Sequence, residues 1–431
     1  MFFRGYYFRV NPCFSVATFS VSIRVLPWLK AIAGQHLHQW HLAKTMMTGP
    51  LHSPERAPRL LSLDVARGIT IAFMIMVNNN GGSPWRFMNH ATWNGLTATD
   101  LVFPTFVFVM GISVVFAIET RLARGATRGQ LVRHTVQRAV ILCLLGIVVN
   151  SFPFFALDHM RFYGVLQRIA VCYLAVSLLY LWDRRAWPMA AALVVALLGY
   201  WVLLRWVPVP GAGVPGRDVA FMDVRQNLVS WTDRQLFPYH LYRDVPDHNV
   251  RDPEGLLSDL PAIGTALMGM LTGVWLRTRR SIPAKAGWLA AAAVGSLALG
   301  YLWSLWFPLN KNLWTSSYVL VAGGYSLVLM TLTFWAVEQR GWRTGWTWIW
   351  LVFGSNAIAA YMFSELLPGV LHNVHFVSGG KRTDVIDFVL DHVFVHIADP
   401  GWAALAYSVS FTAICFVPVW MMYRRGIFLK V

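Results

Sequence analysis

LVFPTFVFVMGISVVFAI, residues 101–118, is an apolar run without a charged side chain. A helix of about 18 residues is just long enough to cross the hydrocarbon core of a bilayer. Comparable runs recur along the chain at 61–78, 134–151, 163–182, 187–207, 258–276, 286–306, 316–335, 346–364 and 401–423. The pattern therefore predicts an all-α polytopic membrane bundle of about ten transmembrane helices.

Composition supports a membrane protein over a soluble one. Hydrophobic residues make up 56% of the 431 positions and charged residues only 13%, and there are 21 tryptophans, which gather at membrane interfaces. The formal net charge of +16 would favour a nucleic-acid partner in a soluble protein. Here the arginines lie in short clusters between apolar runs, so membrane topology explains them and no nucleic-acid partner is expected.

The positive charges alternate from loop to loop. They concentrate in the second, fourth, sixth and eighth connections and at the end of the chain: Arg121, Arg124, Arg128, Arg133, Arg184, Arg185, Arg277, Arg279, Arg280, Lys285, Arg340, Arg343, Arg424, Arg425 and Lys430. Lys and Arg accumulate on the cytoplasmic side of membrane proteins. Both the N- and the C-terminus are therefore predicted to be cytoplasmic.

The sequence divides into two regions. Residues 1–58 form an N-terminal leader that is an interfacial anchor, an additional span, or a segment before a true start at Met46 or Met47; the last reading is favoured. Residues 59–431 form the membrane domain, with a turn-rich outer loop region at 208–257.

The connection between the first two spans, NNNGGSPWRFMNHATWNGLTATD (78–100), is rich in polar residues and glycine. Its His90 has an ordinary pKa suited to proton transfer near neutral pH, although most loop histidines have no catalytic role. Asn78 and Asn79 can donate to an oxyanion or orient the imidazole. Trp93 is either a pocket wall or an interface anchor.

Ionisable groups on spans are functional candidates by default. Asp64 and Arg67 share one helical face, as a local ion pair or as an anion site. Arg168, beside Gln167, either snorkels to the outer surface or has a buried role.

The remaining polar candidates lie near span ends or at membrane depth. Glu254 lies at a predicted helix start, where it can complement the helix dipole. Asn310 and Lys311 lie in an outer loop, and Asn356 lies near the bilayer centre, where an amide usually bridges helices. No histidine or cysteine spacing matches a zinc site, so no metal is expected.

Seven segments occur in an order typical of one family: SLDVARG, VNNNGG, HATWNGLTATDLVFPTFVFVMG, YGVLQRIAVCY, DPEGLLSDLPAI, PLNKNLWTSSYVL and GSNAIAAY. Together they resemble the bacterial members of the heparan-alpha-glucosaminide N-acetyltransferase-like family of transmembrane acyltransferases. The resemblance covers residues 59–430. It implies a multi-pass protein of the bacterial inner membrane that passes an acetyl group from cytoplasmic acetyl-CoA to an amino sugar or glycan on the outer side.

The family motif HAxWxG places the catalytic histidine at His90. The family's asparagine matches Asn78, but the stretch to the histidine is one residue longer here, so Asn79 competes for the role. The expected donor contacts are Arg67, Asp64, Arg168 and Gln167, and the expected acceptor contacts are Asp100, Trp93, Glu254, Asn310, Lys311 and Asn356. Related proteins also suggest a homodimer. The alternative function is a permease for N-acetylglucosamine or a related sugar, without acyl transfer.

Overall fold

The computed structural model describes residues 60–156, 158, 160–242 and 251–429. The predicted leader, residues 1–58, lies outside these ranges. The helices and strands are α1 (Leu61–Asn78), α2 (Val102–Ala123), α3 (Arg128–Ser151), α4 (Val165–Trp182), α5 (Ala186–Trp206), α6 (Leu228–Leu236), α7 (Asp259–Leu276), α8 (Ile282–Trp303), α9 (Ser316–Phe334), α10 (Thr347–Ser355), α11 (Ala357–Leu371), β1 (His375–Ser378), β2 (Lys381–Asp384), α12 (Val385–His392) and α13 (Pro400–Arg424).

The membrane bundle predicted from hydropathy is confirmed. Among the described residues, nine helices are long and apolar enough to cross a bilayer, and the bent pair α10–α11 raises the number to ten. In the most apolar windows of α3, α8 and α13, fewer than a third of the residues are buried by protein. Apolar helices with so much open surface need lipid around them.

The span predicted at 346–364 is not a single straight helix. It is divided into α10 and α11, which meet at an angle of 80°. Asn356 lies at the break with a non-helical backbone, and its side-chain oxygen accepts from the Leu429 N–H at 2.9 Å. Its amide nitrogen donates to the Ile427 carbonyl at 3.0 Å. The amide thus replaces helical bonds with contacts to the chain after α13.

Helices α2 and α7 lie against each other at the centre of the bundle. A Cβ at Gly111 would lie 2.1 Å from the Ala266 carbonyl oxygen, and one at Gly269 would lie 2.0 Å from the Phe108 carbonyl oxygen. Only glycine permits such close backbone contact, which is a common basis of helix packing in membranes.

The connections divide between two ends of the bundle. At the arginine end, where α2, α4 and α7 finish, Glu119 accepts from Arg277 at 2.9 Å and from Tyr180 at 2.9 Å. At the histidine end, the connections α1–α2, α5–α7 and α8–α9 contact one another: Gly95 N–H donates to the Leu309 carbonyl at 2.8 Å, and Trp93 donates to the Met222 carbonyl at 2.9 Å. The alternation of basic loops along the sequence corresponds to this division.

Candidate active site

A cavity of about 910 Å³ opens among the connections of the histidine end and is called the histidine cavity below. Several elements contribute polar side chains to its wall. These are Asn78, Asn80, His90, Asn150, Arg161, Arg251, Glu254, Lys311, Asn312 and Glu365.

His90 and Asp100 form a hydrogen-bonded pair on this wall, with 2.7 Å between imidazole Nδ1 and carboxylate Oδ1. The other oxygen of Asp100 accepts from the Ala91 and Thr97 backbone N–H groups at 3.1 and 3.0 Å, and from the Thr97 hydroxyl at 3.0 Å. An ionised carboxylate only accepts, so Nδ1 carries the proton and Nε2 keeps its lone pair. The pair therefore leaves Nε2 as its basic nitrogen, and the Lys311 ammonium, 3.1 Å away, is within hydrogen-bonding distance of that lone pair.

The local chain folds in a way that makes this pairing possible. Gly95 adopts a φ of 122°, which favours glycine, and lets the chain turn between His90 and Asp100. Asp100 is fully buried at the start of the second span, and its backbone carbonyl accepts from the Tyr318 hydroxyl on α9 at 2.5 Å. The carboxylate is thus fixed from both sides before any ligand arrives.

Lys311 places a cation beside the imidazole, with Nζ 3.1 Å from each ring nitrogen. Its loop is held by Asn310, which accepts from the Leu313 N–H at 2.8 Å and donates to Asn94 at 3.1 Å. Burial lowers the pKa of Lys311, and the negative charges of Glu254 and Asp100 oppose this.

The imidazole of His90 is mostly uncharged at physiological pH. Burial in the wall lowers the pKa of His90 below its ordinary value, the hydrogen bond with Asp100 offsets part of this, and the charge of Lys311 lowers it further. The side chain still has 47% of its surface exposed, so a ligand in the cavity can reach it. A neutral, accessible imidazole is the form that acts as a general base or nucleophile.

The two competing asparagines are separated by the end of α1. Asn78 lines the histidine cavity, and its amide nitrogen donates to Glu365 at 3.1 Å. Asn79 instead donates to the Ile75 carbonyl of its own helix at 3.0 Å and does not contribute to the cavity wall. The Asn78 NH₂ group gives one N–H to Glu365 and retains a second N–H for a ligand.

An ionic network supports the far wall of the cavity. Arg161 is bonded to both Asp252 oxygens at 2.5 and 2.8 Å and also contacts Glu254. Burial opposes ionisation of Glu254, but the charges of Arg161, then Arg168 and Lys311, outweigh it and lower its pKa. Glu254 is therefore a carboxylate held by Arg161.

A second cavity, of about 320 Å³, lies towards the arginine end and is called the arginine cavity. Its wall includes Arg67, Arg121, His134 and Arg138 together with apolar side chains of α2, α3 and α4. Within the described part of the chain, His134 Nε2 and Arg138 Nε are buried without a hydrogen-bond partner. A guanidinium nitrogen in this condition suits an anionic ligand such as a phosphate, to which an imidazole N–H can add a hydrogen bond.

The two cavities share wall residues. Met74 of α1 and Tyr361 of α11 line both. Phe103 and Phe106, one turn apart on α2, line the histidine and the arginine cavity respectively. The separation between the cavities is thus one layer of side chains.

Of the residues expected to contact the donor, Arg67 alone lines the arginine cavity. It donates to Ser113 at 2.7 Å and to Asp64, 3.1 Å away, whose carboxylate does not reach the cavity wall. Arg168 is 1% exposed, and its guanidinium is bonded to Asp259, Ser258 and two backbone carbonyls. The guanidinium is enclosed by residues 253–259, which lead into α7. Gln167 packs against Gly146 and Gly164, away from both cavities.

The expected acceptor contacts also divide. Glu254 and Lys311 line the histidine cavity together with the predicted catalytic residue His90. Asp100 lies behind His90, whereas Trp93, Asn310 and Asn356 are occupied by the intramolecular bonds described above and lie off the cavity wall. Within the described ranges, no three His, Cys, Asp or Glu side chains converge as a metal site would require.

The sequence reasoning missed Glu365, Arg138, His134 and Tyr361. Arg138 is an ionisable group within a predicted apolar segment, a signal that would have found it, whereas Glu365 lies one residue beyond the span predicted at 346–364. Tyr361 carries no such signal, because its position between two cavities depends on the bend at Asn356.

Comparison with known proteins supports the resemblance noted in the sequence. Residues 59–213 match the family profile described as "Heparan-alpha-glucosaminide N-acetyltransferase, catalytic". The human heparan-alpha-glucosaminide N-acetyltransferase is 31% identical over 87% of this chain and 60% of its own length, and the mouse protein is 29% identical over 87% and 61%. The chain spans about three fifths of the length of these relatives. The chain is thus similar to the heparan-alpha-glucosaminide N-acetyltransferases over most of its own length.

Proposed function

We propose that this protein is a transmembrane acetyltransferase that moves an acetyl group from acetyl-CoA in the arginine cavity to an amino sugar or glycan in the histidine cavity. The observation that carries the proposal is the His90–Asp100 pair on the wall of a cavity that shares Met74 and Tyr361 with a second, cationic cavity. The names of the relatives, both N-acetyltransferases, support the reaction class.

The arginine cavity suits the phosphate-bearing end of acetyl-CoA. Arg138 and His134 are one helical turn apart on α3, and each carries one buried nitrogen without a hydrogen-bond partner among the described residues. With Arg67 and Arg121 they would bind the donor phosphates. The pantetheine arm would then pass Met74 and Tyr361 and bring the thioester to His90.

His90 Nε2 serves the transfer by one of two routes. As a general base it removes a proton from the acceptor amine while nitrogen bonds to the acetyl carbon, the C–S bond breaks, and the CoA thiolate leaves. As a nucleophile Nε2 bonds to the acetyl carbon first, the C–S bond breaks and the CoA thiolate leaves. The acceptor amine then attacks the acetyl-imidazole, the bond from the acetyl carbon to Nε2 breaks, and Nε2 takes up the amine proton. Both routes need the tautomer that Asp100 fixes.

The developing oxyanion would be stabilised by Asn78 and Lys311. Asn78 has a second amide N–H beyond the one given to Glu365, and Lys311 adds a positive charge next to the imidazole. Preorganised donors of this kind contribute about 2.7–4 kcal/mol each to transition-state stabilisation.

The basic loops support a cytoplasmic arginine end, with both termini cytoplasmic and the histidine cavity on the outer side of a bacterial inner membrane. The donor would then enter from the cytoplasm and the acceptor from outside. A homodimer stays a prediction.

Labelled acetyl-CoA and glucosamine, mixed with the purified full chain in detergent, test the proposal. Labelled N-acetylglucosamine should form with the wild type and fail to form with His90→Ala. Transfer that is unchanged by this substitution would remove His90 from the mechanism. Sugar uptake into proteoliposomes without any need for acetyl-CoA would favour the permease.

A further inference from the structure

The second carboxylate on the wall of the histidine cavity, Glu365, has a different environment from the first. Glu254 contacts the guanidinium of Arg161, which also holds Asp252. Glu365 accepts from the neutral amide of Asn78 at 3.1 Å. Among the described residues, no lysine or arginine forms an ion pair with Glu365.

The other cations of the wall are engaged elsewhere. Lys311 lies on the ring of His90, and Arg161 is bonded to Asp252 and Glu254. Arg251 donates to Asn312 at 2.9 Å and lies 4.9 Å above the ring of Trp93. A carboxylate on a transmembrane segment is costly unless a positive charge accompanies it, and here the wall does not supply one in contact.

The position of Glu365 places it near the meeting point of the two cavities. It follows Tyr361 by four residues on α11, which is one helical turn or about 5.4 Å along the axis. Tyr361 lines both cavities, while Glu365 lines the histidine cavity. Its hydrogen bond to Asn78 brings it to the end of α1, beside the asparagine proposed to hold the oxyanion.

We infer that Glu365 is the ammonium subsite of the histidine cavity and binds the protonated amino group of the acceptor. This deepens the proposed function, on which it rests, by naming the residue that selects an amine acceptor over a hydroxyl. The ammonium group supplies the positive charge that Glu365 lacks, and it lies close to Asn78 when bound. It passes one proton to the Glu365 carboxylate before transfer, because only the neutral amine has a lone pair with which to attack the acetyl carbon. The preference for an amino sugar thus arises from one carboxylate.

Equilibrium binding without acetyl-CoA separates this subsite from the transfer chemistry. Glucosamine and glucose differ at the 2-position, where one carries an ammonium group at neutral pH and the other a hydroxyl. Calorimetric titration of the purified full chain at pH 7 should give a lower Kd for glucosamine, by about 10- to 100-fold, as expected for a hydrogen bond to a charged group. Glu365→Gln should bring the two Kd values together by weakening glucosamine binding and leaving glucose binding unchanged.

Two matched variants complete the experiment. Glu365→Asp keeps the charge and should retain most of the preference. Asp391→Asn removes one negative charge from the exposed surface of α12 and should change neither Kd. A glucosamine preference that persists in Glu365→Gln would overturn the inference. So would a Glu365→Gln variant with a lower kcat and an unchanged preference, because Glu365 would then only position Asn78.

A measurement on the wild type keeps the inference testable if the variants do not fold. Glucosamine affinity should fall as pH rises and the amine loses its proton, while glucose affinity should stay level over the same range. Equal behaviour of the two sugars would contradict an ammonium subsite. A wild type that prefers glucosamine without transferring acetyl groups would refute the proposed function and leave this subsite in place.

Discussion

The two cavities differ in how their polar groups are satisfied. In the histidine cavity, Asp100 has four bonds to His90, Ala91 and Thr97, and Lys311 lies on the imidazole. In the arginine cavity, His134 Nε2 and Arg138 Nε have no hydrogen-bond partner within the described ranges. The His90–Asp100 pair is thus held by bonds within the protein, whereas these two nitrogens of the arginine cavity are left for a ligand.

This difference separates two tasks. Groups that act on a transition state are effective when they are held in place in advance, because no reorganisation is needed during the reaction. Groups that bind a charged donor gain their partners when the donor arrives. The comparison therefore assigns chemistry to the histidine cavity and donor binding to the arginine cavity, and substitutions on the two walls should have different kinetic signatures.

The largest effect is expected at His90. Replacing it by Ala removes both the base and the nucleophile, and kcat for acetyl transfer should fall by about 10²–10⁴-fold with little change in the KM for acetyl-CoA. Steady-state kinetics with labelled acetyl-CoA measure both parameters. A large rise in the donor KM with kcat retained would place His90 in donor binding instead.

The two asparagines should behave differently. Asn78→Ala should lower kcat by about 10²–10³-fold through loss of an oxyanion donor. Asn79→Ala is the matched control, because Asn79 contacts its own helix backbone and should leave kcat near the wild-type value. The opposite ranking would show that the extra residue before His90 has shifted the catalytic role to Asn79.

In the arginine cavity, Arg138→Gln should weaken the binding of acetyl-CoA. The KM for acetyl-CoA should rise by about 10-fold or more, since a hydrogen bond to a charged group is lost, while the KM for glucosamine should not change. Lys285→Gln, in the first turn of α8, removes the same charge outside the cavity and serves as control. Equal effects of the two variants would mean that general surface charge, not the arginine cavity, attracts the donor.

Lys311 should set the pH profile. Burial lowers the pKa of His90, the hydrogen bond with Asp100 offsets part of this, and the charge of Lys311 lowers the pKa further. Wild-type activity should therefore persist below pH 6.5, the ordinary pKa of histidine, and decline only in more acidic buffer. Lys311→Met removes a positive charge that disfavours imidazolium, so the acid limb of kcat/KM should move to higher pH. An acid limb that stays in place would show that the limb does not report His90.

The smallest effect is expected at Asp233 on α6, in the loop region 208–257. Burial, then the charge of Asp252, raises the pKa of Asp233 to about 7. The folded state therefore binds more protons than the unfolded state between the ordinary pKa of 3.8 and about 7, and stability from this group falls as pH rises through that window. Asp233→Asn should flatten the decline in unfolding temperature across this window. An identical decline in both proteins would assign it to other groups.

The bundle was predictable because the length and hydrophobicity of a span are local properties of the sequence. The bend at Asn356 was not, since it depends on bonds to residues 427 and 429. Glu365 was missed for the same reason: the predicted span stopped at 364, whereas α11 continues to Leu371 after the bend.

The roles of individual polar residues were hard to predict for the same reason, because they depend on contacts between residues distant in the sequence. Residue type and position drew attention to Arg168 and Asn310. Their partners, among them Asp259 and Asn94, lie far away in the sequence. Because Arg168 and Asn310 are bonded to these partners, neither lines a cavity. The motif order identified His90, while the partnership with Asp100 required the turn at Gly95. Residue type thus indicates where polar groups are costly, and the fold determines whether a ligand or the protein satisfies them.

Sided reconstitution tests the central claim most directly. The purified protein would be placed in sealed proteoliposomes sorted by orientation, with labelled acetyl-CoA on one side only and glucosamine on the other. Labelled N-acetylglucosamine should appear only when acetyl-CoA is on the side of the arginine end and glucosamine is on the side of His90. Equal product in both arrangements, or product only when both substrates share the histidine side, would contradict transfer between the two cavities.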